Sequence, residues 1–228
     1  MQVAVTPPLI ETRPASDRDE LAALLKLAGP LVGANLLQMA VYAIDVVFVA
    51  RLGTVEFAAA TLGVFLYSLV MWALMSMATA CAPIIAAELG RRRHSVREVR
   101  RSFRMALWLA GFSALPFGAM LMAGEPILLA AGQDPRVAAR AGDFLVIIVW
   151  ALPASLFAAV MRTVAATLGR PGWAMGVTAM AVGLALVANW ALVFGNLGFP
   201  ALGLEGSAWA SVIVSVAMML AYFAILLL

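Results

Sequence analysis

An all-α integral membrane protein is the fold class this sequence predicts, with six transmembrane helices and both termini on the inner side. Three observations predict it. Hydrophobic residues make up 64% of the 228-residue chain and charged residues 12%, whereas a soluble domain has about 45–50% and about 25%. The charges also leave long gaps. Only Asp45 interrupts the stretch between Lys26 and Arg51, and no Asp, Glu, Lys or Arg falls in 57–87, 105–124, 144–161, 171–204 or 206–228. About 20 apolar residues suffice to cross the hydrocarbon core as a helix. Finally, the basic residues are lopsided. With the N-terminus inside, 12 of the 15 Lys and Arg fall in cytoplasmic segments and 3 (Arg51, Arg136, Arg140) outside, as the positive-inside rule requires. Alternation at period two is weak, which argues against a transmembrane β-barrel.

Taken in order, residues 1–20 are polar, carry Pro7, Pro8 and Pro14, and read as a cytoplasmic tail. They lack the apolar core and cleavage site of a signal peptide. Residues 21–228 are expected to form one six-helix lobe, with helices near 24–49, 58–86, 105–123, 143–163, 173–195 and 207–228. Helix 1 carries Pro30 in its first turns, where a missing N–H is tolerated. It leaves through Arg51-Leu52-Gly53, a Gly-capped exit. Helix 2 runs into the basic loop RRRHSVREVRRSFR. That loop reads as topogenic rather than nucleic-acid-binding, and it can also meet anionic lipid.

Helix 3 is expected to close at Glu125-Pro126, leaving an external segment 125–142 whose apolar–basic run lies along the interface. Helix 4 turns at Gly169-Arg170-Pro171-Gly172 into helix 5, and the Gly-rich stretch 195–203 leads to helix 6. Pro83, Pro116 and Pro153 fall inside the expected helices. Each removes a backbone hydrogen bond, and two readings stay open: bending to fit a bundle, or a hinge for alternating access.

The chemistry sits in the spans. Cys81 is the one cysteine and His94 the one histidine, the latter in the basic loop. No Cys/His cluster, phosphate loop or nucleophile–base constellation is present, so no enzyme, cofactor or metal site is expected. Asp45 is the exception to the apolar pattern. A carboxylate at that depth costs roughly 2.5–3.5 kcal/mol on insertion scales, and such groups mark ion, proton or substrate paths. Asn35, Gln38, Tyr42 and Asp45 are spaced three, four and three apart, which puts them on one helix face. The rival reading is polar glue between helices; an acid at the end of the stripe favours a substrate cavity.

Asn189, next to Trp190, lies six residues before Gly195, and Asp45 six before Arg51. Both helices run outward, so the two groups share a depth of about 9 Å below the outer boundary at 1.5 Å per residue. Asn189 can donate to an ionised Asp45 or accept from a protonated one, and a carboxyl that takes and loses a proton is a coupling element. Tyr42 and Trp190 can face a cationic ligand with their rings. Arg162 reads as a side chain snorkelling to the inner surface, Thr163 and Thr167 as facing the bundle, and Glu205 as a loop acid near the outer mouth.

Several segments together resemble a known family. LLKLAGPLVGANLLQMAVYAIDVVFVARLG resembles the first helix of the multidrug and toxic compound extrusion (MATE) transporters, with its basic start, early Pro, a Gln, and an Asp seven residues later. CAPIIAAELGRRR resembles the end of the second helix, and VMRTVAATLGRPGWAM the fourth-to-fifth junction. ANWALVFGNLGFPALGLEGSAWAS resembles the fifth helix and the start of the sixth. The likeness runs in order from about residue 21 to the C-terminus, and collinearity carries it rather than any one motif.

The resemblance implies one lobe of a two-lobe secondary antiporter that exports organic cations or other amphipathic drugs from a bacterial inner membrane. The family's helix 1 acid corresponds to Asp45 and its helix 5 Asn/Asp position to Asn189. Members often carry a further Asn one turn earlier, where this chain has Ala185; that favours protons over sodium as the coupling ion. The family has about twelve helices, so the expected partner is a second six-helix lobe, in the same chain or through homodimerisation. Two other functions stay in view: a lipid or lipid-linked precursor flippase, and a noncatalytic membrane lobe.

Overall fold

The computed structural model describes residues 17–79, 96–167 and 171–227. Every element there is helical: α1 Asp17–Ala50, α2 Thr54–Thr79, α3 Val96–Met122, α4 Gly124–Ala130, α5 Pro135–Ile148, α6 Ala151–Thr167, α7 Pro171–Phe194 and α8 Leu204–Leu227. Four helices are long and apolar enough to cross a membrane, and up to six spans result when two bent pairs each count as one. The first pair is α3 with α4, bent by 57°, and the second is α5 with α6, bent by 55°. The all-α membrane fold read from composition is the fold observed. Cys81, Pro83, His94, most of the basic loop and the Gly169-Arg170 half of the inner turn lie outside the described residues, as do the side chains of Thr163 and Thr167.

The largest difference from the sequence reading lies between helices 3 and 4. Residues 125–142 were expected as an external segment, yet they form α4 and the first half of α5. Glu125-Pro126 starts a helix rather than closing one. Pro126 stands in the first turn of α4, where its missing N–H has no partner to lose. Gly132-Gln133-Asp134 does make a turn, and it immediately caps the next helix: Asp134 accepts from the backbone N–H of Arg136 at 2.8 Å, with Pro135 at the first helical position. Span four therefore begins eight residues before the expected 143 (143 − 135 = 8). Pro153 falls in the first turn of α6, just past the bend, while Pro116 remains inside α3.

The hairpins are set by backbone. Gly53 has φ of 131°, a value that favours glycine, and it lets α1 turn into α2 within three residues. Glu56 then sits in the first turn of α2, where a negative charge complements the helix dipole. Between α7 and α8 the chain folds back on itself, with the N–H groups of Leu202 and Gly203 donating to the carbonyls of Leu192 and Val193. Gly206 passes so close to the Leu192 carbonyl that a Cβ has no room there.

α7 is the most enclosed of the single spans and α1 the least. The α7 face is built of small residues: Ala174, Ala181, Ala185 and Ala188 are buried. Small side chains let membrane helices approach closely, where van der Waals packing and hydrogen bonds hold them. α1 and α8 both pack on α7, α6 packs on α8, and α2 on α5. The main core gathers Leu74, Phe144, Leu145, Leu152 and Leu156. Large apolar side chains such as Leu36, Trp72, Trp108, Phe112 and Leu115 are exposed, as suits a surface whose solvent is lipid.

Candidate functional site

α1 carries its polar residues across the edge of its seam with α7. Ala34, Val41 and Val49 are buried among the described side chains of α1. At about 100° per residue, Asp45 projects between Val41 and Val49, Gln38 lies beside it, and Tyr42 and Asn35 follow further round. Exposure tracks that order: Asp45 and Gln38 are half-buried, while Tyr42 and Asn35 are exposed. The four residues thus share one face but not one environment. The acid is in the seam, and the rest grade outward to the open side of the lobe.

Asp45 meets Asn189 there. The Asn189 amide nitrogen donates to Asp45 Oδ1 at 2.7 Å and to the Ala185 carbonyl at 3.0 Å. Both neighbours are acceptors, so the nitrogen rather than the oxygen must face them. Asn189 is 0% exposed. Ala185, the position without a polar side chain, contributes its backbone carbonyl and so holds the amide in place. With both N–H groups committed, the Asn189 Oδ1 is left buried without a hydrogen-bond partner. Buried polar atoms are nearly always paired, so this oxygen is the acceptor of the site left open among the described residues.

Trp190 is not drawn into this contact. It is exposed, and its carbonyl accepts from Asn196 Nδ2 at 3.1 Å. Asn189 faces α1, and the next residue on a helix points about 100° away. Phe48 and Phe194 meet in a tilted contact near the C-terminal ends of the same helices, ring centroids 5.5 Å apart.

Arg162 is half-buried and lies near Tyr42 on α1 and Tyr222 on α8. Tyr222 is itself buried, with Thr178 of α7 beside its hydroxyl. Glu205 stands in the first turn of α8 and lines a cavity of about 200 Å³ together with Glu56, Arg140 and Asp143.

The sequence reading passed over three further polar residues in the spans. Tyr67 on α2, Ser155 on α6 and Ser215 on α8 are hydrogen-bonded in series. Their signal is faint: isolated hydroxyls in apolar helices, with only the Ser211–Ser215 spacing of four to mark a common face.

Comparison with known proteins places this arrangement. Residues 30–191 match the MatE family model. A protein of Mesorhizobium japonicum named "Probable multidrug resistance protein NorM" is 42% identical over 211 residues, which are 92% of this chain and 45% of that one. A protein of Pseudomonas putida with the same name is 33% identical over 87% of this chain and 43% of its own. Among solved structures, the eukaryotic MATE transporter AtDTX14 superposes with a TM-score of 0.80 at 19% identity, over 92% of this chain and 46% of that one. A MOP superfamily transporter from Pyrococcus furiosus superposes with a TM-score of 0.75 at 22% identity, over 90% and 44%. The chain spans a little under half the length of these relatives. Matched by the family model over most of its spans, and by relatives across nearly its whole length, the chain belongs to the MATE family of membrane transporters.

Proposed function

We propose that this chain is one six-helix lobe of a secondary antiporter that exports organic cations and other amphipathic drugs, with Asp45 as the coupling group. The observation that carries the reading is the 2.7 Å hydrogen bond from Asn189 to Asp45 inside an apolar seam. A charge in that setting is costly to bury, and its one polar partner is oriented toward the ionised form. The names of the relatives, which describe multidrug resistance, support a drug as cargo.

In the proposed cycle, the ionised Asp45 accepts from Asn189 and attracts a cationic drug entering along Tyr42, Gln38 and Asn35. A proton from outside then neutralises the carboxyl. The new O–H can donate to the waiting Asn189 Oδ1, the attraction for the cation ends, and the drug leaves outward. Loss of the proton to the cytoplasm restores the starting state. Direction comes from the different affinities of proton and drug for the two facing states. Sodium is the rival coupling ion. Both termini lie inside in this scheme. The second lobe closes the open side of α1, either in the same polypeptide or as a second copy.

The test uses the complete transporter in proteoliposomes with a fluorescent cationic drug and an imposed pH gradient. Asp45→Asn is expected to abolish gradient-driven export while leaving the thermal melt within a few degrees of wild type. Export by the variant at the wild-type rate removes Asp45 from the mechanism.

A further inference from the structure

A second polar feature crosses the apolar mid-section of the lobe, and the coupling pair does not use it. Tyr67 Oη donates to Ser155 Oγ at 3.3 Å, Ser155 Oγ to Ser215 Oγ at 3.0 Å, and Ser215 Oγ to the Ser211 carbonyl at 2.8 Å. Three helices, α2, α6 and α8, are joined by it.

The direction of the chain is set from its far end. A carbonyl only accepts, so the single proton of Ser215 is committed to Ser211. Ser155 must then donate to Ser215, and Tyr67 to Ser155, because each hydroxyl has one proton and two lone pairs. A chain that ends on a carbonyl cannot pass a proton onward, so it is not a proton path. What it leaves over is acceptor capacity alone: neither Tyr67 nor Ser155 retains a hydrogen for another partner.

The three side chains are half-buried, while Leu152, Leu156, Val212 and Val214 around them are buried. α2, which carries Tyr67, packs against α1, where Tyr42 is 56% exposed, so the series stands beside the helix that bears the polar face.

We propose that Tyr67, polarised through Ser155 and Ser215, is a specificity-determining residue that selects organic cations bearing N–H groups over equally charged cations bearing none. The inference rests on the export reading above for the presence of a cationic substrate. An ammonium N–H donates to the phenol oxygen, whose own proton is engaged elsewhere. A quaternary ammonium carries the same charge and still meets the aromatic face, but it has nothing to donate. A ligand that offers only acceptor atoms meets lone pairs and is disfavoured.

The experiment measures binding to the complete transporter in lipid nanodiscs. The probes are a dansyl-propylammonium and its N,N,N-trimethyl analogue, read by dansyl fluorescence. Wild type is expected to favour the primary ammonium by about tenfold, the size of one net hydrogen bond. Tyr67→Phe is expected to bring the two affinities together. Ser155→Ala frees the Tyr67 proton to turn toward the ligand, so it is expected to reduce the ratio and to strengthen binding of an uncharged dansyl-propyl methyl ether, an acceptor-only probe at its chain end. A residue that only clamps helices together would lower the melting temperature in both variants and leave the ratio at its wild-type value; that result overturns the proposal. If Tyr67→Phe does not fold, an unchanged ratio in Ser155→Ala overturns it equally. Binding of both probes with equal affinity in wild type removes the subsite but not the export reading. Failure of wild type to bind either probe removes both.

Discussion

At the residue scale the proposed coupling rests on Asp45 and Asn189. The amide gives both of its protons away, to Asp45 and to Ala185, and keeps a bare oxygen. A hydrogen bond to a charged group contributes about 1.5–3 kcal/mol, and orphaning the buried partner carries the full desolvation cost. Asn189→Ala is therefore expected to weaken gradient-driven export by about ten- to a hundredfold, measured as initial rates in proteoliposomes. Asn189→Asp sets a second acid beside the first. The two carboxyls then compete for one proton, so the dependence of export on pH is expected to change shape while the chain still inserts; an unaltered pH profile would show that Asn189 does not touch the coupling group. Both residues were legible in the sequence because a lone charge in a span is conspicuous and counting from the helix ends gives depth. Trp190 follows Asn189 in the sequence but points away from the pair, since neighbours on a helix point apart. The Tyr67–Ser155–Ser215 series could not be read at all, because its members are 88 and 60 residues apart.

The element scale is dominated by two broken spans. α3–α4 and α5–α6 bend by nearly equal angles, and the short α4 packs along α5. Gly124 leaves no room for a Cβ against the Leu145 side chain, and Gly142 is similarly tight against Glu125. Gly124→Val is expected to overpack this joint, at about 1–3 kcal/mol, seen as a lower melting temperature in detergent. Asp134→Ala removes the side-chain cap of α5. Its cost is about 1 kcal/mol, so a smaller drop in melting temperature is expected there than at Gly124. Charge gaps show where a chain can be in lipid but not where a helix breaks inside that region. Glu125-Pro126 marks a boundary either way. Whether it ends one helix or starts another depends on whether the residues after it find a surface to pack on, and α5 supplies that surface.

For the whole molecule, the proposed orientation rests on the distribution of Lys and Arg, 12 inside against 3 outside. In a Cys81→Ala background, Gln133→Cys is expected to react with a membrane-impermeant maleimide added to intact cells, and Ser95→Cys only after permeabilisation. The reverse pattern would invert the proposed topology and the direction of coupling with it. α1 is the least enclosed of the single spans, yet it carries the acid and the polar face. A helix so placed is incompletely buried by its own lobe, in keeping with a chain that spans a little under half the length of its relatives.

The sequence by itself determined the membrane class, the helical fold, the expected sidedness and the identity of the acid. These follow from hydropathy, charge placement and helical rise, which are local or additive along the chain. Tertiary structure decided which polar groups touch. It joined Asp45 to an amide 144 residues away, turned the Ala185 carbonyl into its second anchor, broke two spans, and strung three hydroxyls across three helices. Such contacts depend on how helices rotate and cross, and that is settled by small-residue packing over the whole lobe rather than by any one segment.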